Sequence, residues 1–198
     1  MTLTTTTKPT PFIILIDSAE TFPFTFAGLK SDADKGSVEL LVKSRVANLG
    51  RHPNSFGDYS LDGYQAVIAV ERKSIPDLQS TLLGFAEGNR ARFECELTNL
   101  ATLTASLVVV EGSLEQAIAD IQPRGTKTKH QLTKILFRSI LALQQDFKVQ
   151  WCFAGSRRLA ELSCFRFLER FYEKREAEKR KAAREERARE SSLLVESL

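Results

Sequence analysis

The chain has 198 residues, of which 42% are hydrophobic and 27% charged, and its formal net charge is +3. This composition is typical of a soluble globular domain with a sizeable core, and it excludes a wholly disordered chain. Because the net charge is small, any prediction of nucleic-acid binding depends on where the basic residues lie.

The cysteines and the N-terminus bear on the cellular compartment. Cys95, Cys152 and Cys164 are odd in number and lack CxxC spacing, which predicts reduced thiols in mostly apolar surroundings. The N-terminus MTLTTTTKPT has no apolar core of a signal peptide, and no apolar run is long enough to span a bilayer. We therefore expect a cytoplasmic protein without a membrane partner, and a flexible lead-in over residues 1–10.

The first predicted elements precede a hairpin. The run PFIILID over Pro11–Asp17 is continuously apolar and ends in an acid, which predicts a strand covered on both faces. The next segment, SAETFPFTFAGLKSDADKGS, has no single period, and we interpret it as a loop with a short helix. Residues 37–49 fit a helix or a strand by periodicity.

The segment FGDYSLDGYQAVIAVERK predicts an antiparallel hairpin, because Asp62-Gly63 lies between two strand-like runs. An ideal two-residue turn would pair Asp58 with Val67. Glu71 would then share the face of Asp58 but lie four positions farther along. The two carboxylates therefore converge only with a longer loop, a bulge or a strong twist.

Two helices are predicted after this hairpin. Ser74 can cap a helix that reaches about Leu83, with Pro76 in its first turn and Asp77 completing a Ser-x-x-Asp pattern. The segment Gly88–Leu103 has apolar residues at helical spacing and predicts an amphipathic helix.

The remaining chain alternates between predicted strands and helices. These are a buried strand over Ala105–Gly112, a helical piece over Leu114–Ile121, a basic loop PRGTKTKH, a helix over Leu132–Phe147, a strand over Val149–Phe153 and a long helix from Ser156. This alternation predicts an α/β fold. From Glu169 onwards acids and bases mix at helical spacing, which predicts a solvated single helix.

Three sequence features follow one another: the motif GDY, then a strand, then the motif ERKxxxD. GDY is Gly57-Asp58-Tyr59, and ERKxxxD consists of Glu71-Arg72-Lys73 and Asp77. In this order they resemble the nuclease domain of the XPF family of structure-specific DNA endonucleases. IDSAE looks like the family's first motif, a strand ending in Asp-x-Arg-Glu, and VVVEG looks like its later strand motif.

The resemblance covers roughly residues 11–155, which we take as one nuclease domain. It implies a restriction-endonuclease-like core, with a central mixed β-sheet flanked by helices. Residues 156–198 would add the long charged C-terminal helix. The family's eukaryotic relatives carry a tandem helix-hairpin-helix module that this charged tail lacks, so we expect a compact, stand-alone form as in bacteria or phages. Its expected location is the nucleoid of a bacterium or the host cytoplasm of a phage.

The motif residues suit phosphodiester hydrolysis, which needs a hard cation held by carboxylates. We predict Asp58 and Glu71 as ligands of Mg²⁺ or Mn²⁺. Lys73 lies on the same strand face as Glu71 and can orient water or stabilise charge in the transition state. The resemblance adds Asp17 as a metal ligand and Glu20 as a supporting acid.

Several roles at this predicted site stay open. Arg72 can bond the phosphate or hold Asp77, and its carbonyl can complete the metal shell. Asp77 itself can cap its helix, serve the site, or do both. Glu111 is interpreted as a structural carboxylate at a strand end. Ala19 stands where the family's first motif has Arg, a change expected to weaken phosphate positioning.

Two groups of basic residues are predicted to bind DNA. Arg90 and Arg92 fall where the resemblance places bases near the site, and their charge suits a phosphate; a solvated helix face is the alternative. Arg124, Lys127 and Lys129 lie in the basic loop PRGTKTKH and can grip backbone phosphates without reading bases.

The leading hypothesis is a metal-dependent endonuclease that cuts branched, flap or nicked DNA in repair, recombination or replication. The alternative is a catalytically weak or inactive nuclease-fold module that binds DNA and acts with a partner. A third hypothesis is that the charged C-terminal helix recruits a protein partner or a second copy of the chain.

Overall fold

The computed structural model describes residues 6–32, 38–51, 56–85 and 87–196. The predicted N-terminal lead-in and the predicted loop fall partly on residues 1–5 and 33–37, which lie outside this description. No helix in the described part of the chain combines the length and apolar character needed to cross a membrane.

The described residues form one mixed sheet of six strands, in the order β2-β1-β3-β4-β5-β6, with helices on both faces. The strands are β1 (Thr7–Asp17), β2 (Glu39–Ala47), β3 (Tyr59–Leu61), β4 (Ile68–Lys73), β5 (Ala105–Val110) and β6 (Gln150–Phe153). The helices are α1 (Ile75–Leu82), α2 (Asn89–Ala101), α3 (Leu114–Ala119), α4 (Lys129–Phe147) and α5 (Arg157–Glu196). The predicted α/β fold, with a central mixed sheet and a long C-terminal helix, is confirmed.

The N-terminal strand is longer than the sequence predicts. It begins at Thr7, within the segment expected to be a flexible lead-in, because Thr7 pairs in parallel with Glu39 of β2. Pairing with β1 also decides between helix and strand for β2, which periodicity left open. The described loop after β1, residues 18–32, contains no helix; Phe24 and Phe26 anchor it by their burial in the core.

The hairpin between β3 and β4 has a longer loop than the turn at Asp62-Gly63 would give. The Tyr64 N–H donates to Leu61 O (2.9 Å), and the Val67 N–H then donates to Tyr64 O (2.9 Å). Two successive turns thus replace a two-residue turn, and Gly63 supplies the positive φ of 80° that the first turn needs.

This loop sets the strand register. Tyr59 pairs with Val70 in the antiparallel ladder. Asp58 precedes Tyr59 and Glu71 follows Val70, so the register brings the two carboxylates next to each other. Of the three features predicted to bring the carboxylates together, a longer loop, a bulge or a strong twist, the structure has the longer loop.

The two faces of the sheet are covered differently. Helices α1 to α4 pack over one face, where β5 contributes Val108 and Val110. The other face, where β5 contributes Leu107 and Val109, is covered by α5 and the aromatic loop after β1. Burial of both faces explains why the residues of β5 and of the first half of β4 are almost all apolar.

The start of α5 belongs to the core. Ala160, Cys164, Phe165 and Leu168 are all buried against the sheet. The predicted division at residue 155 therefore lies just before a helix that completes the core. The solvated part of α5 begins later than the charge pattern predicts, because Phe171 and Tyr172 still pack against the core after Glu169.

The cysteines agree only partly with the sequence prediction. All three are free thiols. Cys164 is buried and Cys152 is half-buried, but Cys95 is exposed. The expectation of apolar surroundings fails for Cys95 because it lies on the solvent face of α2, between Glu94 and Glu96.

Candidate active site

A cleft opens at the carboxyl ends of β1 and β4, beside the first turns of α1 and α2. Its lining joins three stretches of sequence with one side of α2: Ala19, Glu20, Thr21, Asp58, Glu71, Arg72, Lys73, Ser74, Asp77, Arg92 and Glu96. The ERKxxxD and GDY motifs therefore meet in one place.

Asp58 and Glu71 are neighbouring desolvated carboxylates of the cleft. The backbone N–H of Arg72 donates to Asp58 Oδ2 (2.7 Å). Burial raises the pKa of Asp58 to about 7, against the lowering effect of that hydrogen bond. Burial, followed by the negative charge of Asp58, raises the pKa of Glu71 well above its ordinary value. The negative charge of Asp58 thus opposes ionisation of Glu71, as expected where two carboxylates lie in one site.

Lys73 is surrounded by acids. Its Nζ lies 3.0 Å from Glu71 Oε1, 3.4 Å from Asp77 Oδ2 and 3.4 Å from Glu96 Oε2, and 4.6 Å from the centre of the Phe93 ring. Burial lowers the pKa of Lys73, but the charge of Glu71 and the two further acids raise it well above its ordinary value. The ammonium therefore stays protonated at neutral pH.

Arg72 points away from Lys73, as alternation along a strand requires. Its Nε and Nη2 donate to the two oxygens of Glu20 (2.8 and 3.0 Å), and its Nη1 lies 3.1 Å from Glu111. Burial raises the pKa of Glu20, yet the hydrogen bonds and charge of Arg72 bring it below its ordinary value. The guanidinium holds these two acids and not Asp77, which corrects one of its predicted roles.

Asp17 does not join the other predicted metal ligands. Its Oδ2 accepts from the Ala19 N–H (3.1 Å) and its Oδ1 from the Leu49 N–H (2.8 Å). Both oxygens thus fix the chain that leaves β1 and the chain that follows β2. The structure leaves Asp17 outside the lining of the cleft, so it does not support its predicted role as a ligand.

Asp77 and Glu96 complete the acids around Lys73. The Asp77 N–H donates to the capping Ser74 Oγ (3.3 Å), as predicted, while its carboxylate faces Lys73. Sequence reasoning missed Glu96. Its spacing from Arg92 is that of an ordinary helix ion pair, and only the packing of α2 against β4 brings it to Lys73.

The first pair of predicted DNA-binding residues is split by the fold. Arg92 lines the cleft, largely exposed, with Nε 3.8 Å from Glu96. Arg90 instead bonds Glu94 (2.6 Å) and donates to Ser139 of α4 (2.9 Å). Arg90 is therefore an anchor between two helices.

The second group lies in a separate groove. Arg124 and Lys127 line it, and the guanidinium of Arg124 sits 4.9 Å from the centre of the Phe85 ring. Lys129 Nζ donates to Ala119 O (2.6 Å), which ties the start of α4 to α3. Helix α4 runs back to the beginning of β6, so this groove lies on the same side of the sheet as the carboxyl ends of β4 and β5.

The carboxylates of the cleft suit a divalent cation such as Mg²⁺, which keeps water and substrate oxygens among its ligands. No group of three or more His, Cys, Asp or Glu residues within the described chain is arranged to hold a metal. Mg²⁺ at phosphate sites, however, is bound through one or two carboxylates and completed by water and substrate oxygens. Asp58 and Glu71 supply such a pair, and Oδ1 of Asp58 accepts no hydrogen bond from the described residues.

Comparisons with known proteins were made for sequence and for structure. No protein-family model matches the chain, and no curated protein matches it. Among solved structures, the chain is similar to XPF from Aeropyrum pernix, with a TM-score of 0.49, 19% identity, and coverage of 85% of this chain and 69% of that one. A complex of that XPF with DNA gives a TM-score of 0.48, 17% identity, and coverage of 82% and 66%. These neighbours carry the name of the family that the GDY and ERKxxxD motifs resemble.

Proposed function

We propose that this chain is a metal-dependent DNA endonuclease that hydrolyses phosphodiester bonds in branched, flap or nicked DNA. One observation carries the proposal: Asp58 and Glu71 meet in a desolvated cleft, with the Lys73 ammonium 3.0 Å from Glu71. Burying such a cluster is costly for stability, whereas its oxygens and its cation suit a metal and a phosphate.

The cleft residues have separate roles in this chemistry. Mg²⁺ or Mn²⁺, held by Asp58 and Glu71, would polarise the phosphate and lower the pKa of an attacking water when bound. Lys73 presents a permanent positive charge where the phosphoryl oxygens gain negative charge. Water adds to phosphorus, the bond from phosphorus to one ester oxygen breaks, and that oxygen leaves with a proton. The products are a phosphate monoester and a hydroxyl.

The basic residues give the DNA a path. Arg92 lies at the mouth of the cleft, and Arg124 and Lys127 line a groove on the same side of the sheet. We propose that the backbone next to the cut runs from Arg92 towards this groove. Such contacts depend on phosphate charge, so DNA binding should weaken as salt concentration rises.

Cleavage of labelled DNA tests this function. Flap, fork, nicked and intact duplexes would be incubated with the protein and with Mg²⁺ or Mn²⁺. A Glu71→Ala, Lys73→Ala double variant should lose at least about a thousandfold in rate, because it removes a ligand and a transition-state charge. The matched control is Arg45→Gln, Asp62→Asn, which removes an exposed ion pair of 2.9 Å. Equal cleavage by both double variants would contradict the proposal.

A second function is favoured by a specific observation. Ala19 lines the cleft where the resembled motif has Arg, and Lys73 is already matched by three carboxylates. A DNA-binding module with weak or no catalysis would fit this arrangement. It would shift branched DNA in a gel and leave it uncut with either metal, whereas the endonuclease would cut it.

The setting of this activity is also a proposal. We place it in DNA repair, recombination or replication, in the bacterial nucleoid or, for a phage protein, in the host cytoplasm. The outer half of α5, residues 177–196, would then recruit a protein partner or a second copy of the chain.

A further inference from the structure

A row of alternating charges leads from the cleft to the start of α5. Arg72 bonds Glu20 and Glu111, and Glu111 also contacts the guanidinium of Arg157. The side chains of Arg72, Glu20 and Glu111 are 12%, 4% and 11% exposed, whereas Arg157 is 45% exposed. One partly exposed cation therefore closes a buried network of two acids and one base.

Arg157 also holds the loop that carries Glu20. Its Nη2 donates to Phe22 O (2.6 Å) and Pro23 O (3.1 Å), and its guanidinium lies 5.1 Å from the centre of the Phe24 ring. The Phe22 N–H donates in turn to Glu20 Oε1 (2.7 Å). A single side chain thus fixes both acids that orient Arg72, one directly and the other through the loop.

The network is neutral only with Arg157 included. Arg72 and Arg157 together balance Glu20 and Glu111. Without Arg157, two buried carboxylates would share one guanidinium, and the excess negative charge would lie beside Asp58. Arg72 lines the cleft, so displacement of its guanidinium would change the wall of the cleft beside Asp58.

We propose that Arg157 is a positioning residue of the cleft, which acts through Glu111 and the loop at Phe22 to hold Arg72 in place. Arg157 is outside the lining of the cleft, so it has no catalytic contact of its own. The effect of this role on catalysis rests on the proposed nuclease function. The effect on Arg72 does not.

The matched pair of variants is Arg157→Gln and Arg158→Gln. Arg158 follows on the same helix, is 51% exposed and pairs with Glu161 (2.6 Å), without touching the row that leads to Arg72. We expect Arg157→Gln to lower kcat about tenfold, the loss typical of one charge-assisted contact, with less than about a twofold change in Kd for DNA measured without metal. Arg158→Gln should change neither.

Two further variants separate positioning from general stability. Arg157→Lys should restore only part of kcat, because one ammonium cannot reproduce the planar fork that joins Glu111 to the loop. In Arg157→Gln, Glu111→Gln, the combined loss of kcat should be smaller than the product of the single losses, because both residues act on Arg72. Losses that multiply in full would contradict a shared route.

A direct readout of Arg72 keeps this inference separate from the nuclease proposal. The Nε–H signal of Arg72 can be assigned by NMR from its loss in Arg72→Lys. We expect its hydrogen exchange to be about tenfold faster in Arg157→Gln and unchanged in Arg158→Gln, since the bond to Glu20 opens more often. An inactive wild-type protein would overturn the proposed function alone. Unchanged exchange in Arg157→Gln, or an unchanged kcat where the wild type cuts DNA, would overturn the positioning role.

Discussion

The charges of the cleft and those of the outer half of α5 are of the same residue types, but they differ in burial. The side chains of Lys73 and Glu71 are both 9% exposed and 3.0 Å apart, whereas those of Lys181 and Glu185 are 78% and 59% exposed and 3.9 Å apart. Exposed pairs contribute about 0–1 kcal/mol, while breaking a buried pair costs about 3–5 kcal/mol. A site is therefore indicated by desolvated charges in fixed partnerships, and an abundance of charge is not enough.

The two regions also lie at opposite ends of the strands, one beyond the carboxyl end of β4 and the other beside its amino end. The cleft is at the carboxyl end of β4, next to the start of α5. Farther along α5, Lys179 Nζ contacts Tyr64 Oη (2.8 Å), in the loop that precedes β4. This separation lets each set of charges be altered with little effect on the other.

The largest contrast is expected from removing one lysine in each region. Lys73→Met leaves three acids without their shared cation, so the free energy of unfolding should fall by about 3 kcal/mol at pH 8. Lys181→Met should change it by less than about 0.5 kcal/mol. Urea unfolding of both variants measures the difference. Equal losses would show that burial does not separate the two regions energetically.

A smaller effect on the free energy of unfolding is expected from Asp58→Asn, which removes the charge of Asp58 but keeps an oxygen that accepts from the Arg72 N–H. The unfolded pKa of an aspartate is about 3.9, and that of Asp58 in the fold is about 7. Stability that comes from holding this proton is fully present below pH 4 and is lost as the pH rises through 7. Asp58→Asn should therefore match the wild type near pH 4 and be more stable by about 2 kcal/mol at pH 8 without divalent metal.

Unfolding from pH 4 to pH 8 measures this dependence. Asp62→Asn, at an exposed carboxylate, is the control and should follow the wild-type curve. A wild-type protein more stable than Asp58→Asn at pH 8 would contradict the raised pKa.

The same proton should compete with a bound metal. If Asp58 and Glu71 hold Mg²⁺, both must ionise first, and the rate of DNA cleavage should rise with pH through about 7. Tenfold more Mg²⁺ should move the acid side of this profile down by about 1 pH unit if binding displaces one proton, and by about half a unit if it displaces two. Rates at a series of Mg²⁺ concentrations test this, and a profile that does not move would exclude metal binding by these groups.

Local sequence signals predicted much of the cleft. The apolar run of β4 with its charged end, the Ser74 cap and the alternation of Glu71 and Lys73 depend on neighbouring residues only, and each is found in the structure. The length of the hairpin loop depends on more than the Asp62-Gly63 pair. Asp62-Gly63 does form a turn, but a second turn at Val67 decides the register, and no local signal outweighs the simpler hairpin.

The partners of the charges could not be predicted in the same way. Arg72 holds Glu111, which lies on the neighbouring strand, and Lys73 meets Glu96, which lies on a helix packed over it. Both contacts depend on which elements pack together, and residue spacing does not carry that information. The position of Asp17 has a related cause: its two oxygens accept from the turn after β1 and from the chain after β2, and the residue lies outside the lining of the cleft.

The smallest effect on the folded domain is expected from removing the outer part of α5. Deleting residues 181–198 leaves Lys179 and Phe171 in contact with Tyr64, and it removes exposed ion pairs such as that of Lys181. The free energy of unfolding should change by less than about 0.5 kcal/mol, and DNA cleavage should continue at the wild-type rate. Urea unfolding and the cleavage assay measure both. A loss of unfolding free energy above about 2 kcal/mol would show that the charges of this segment are buried like those of the cleft. A loss of cleavage alone would show that its basic residues bind the DNA.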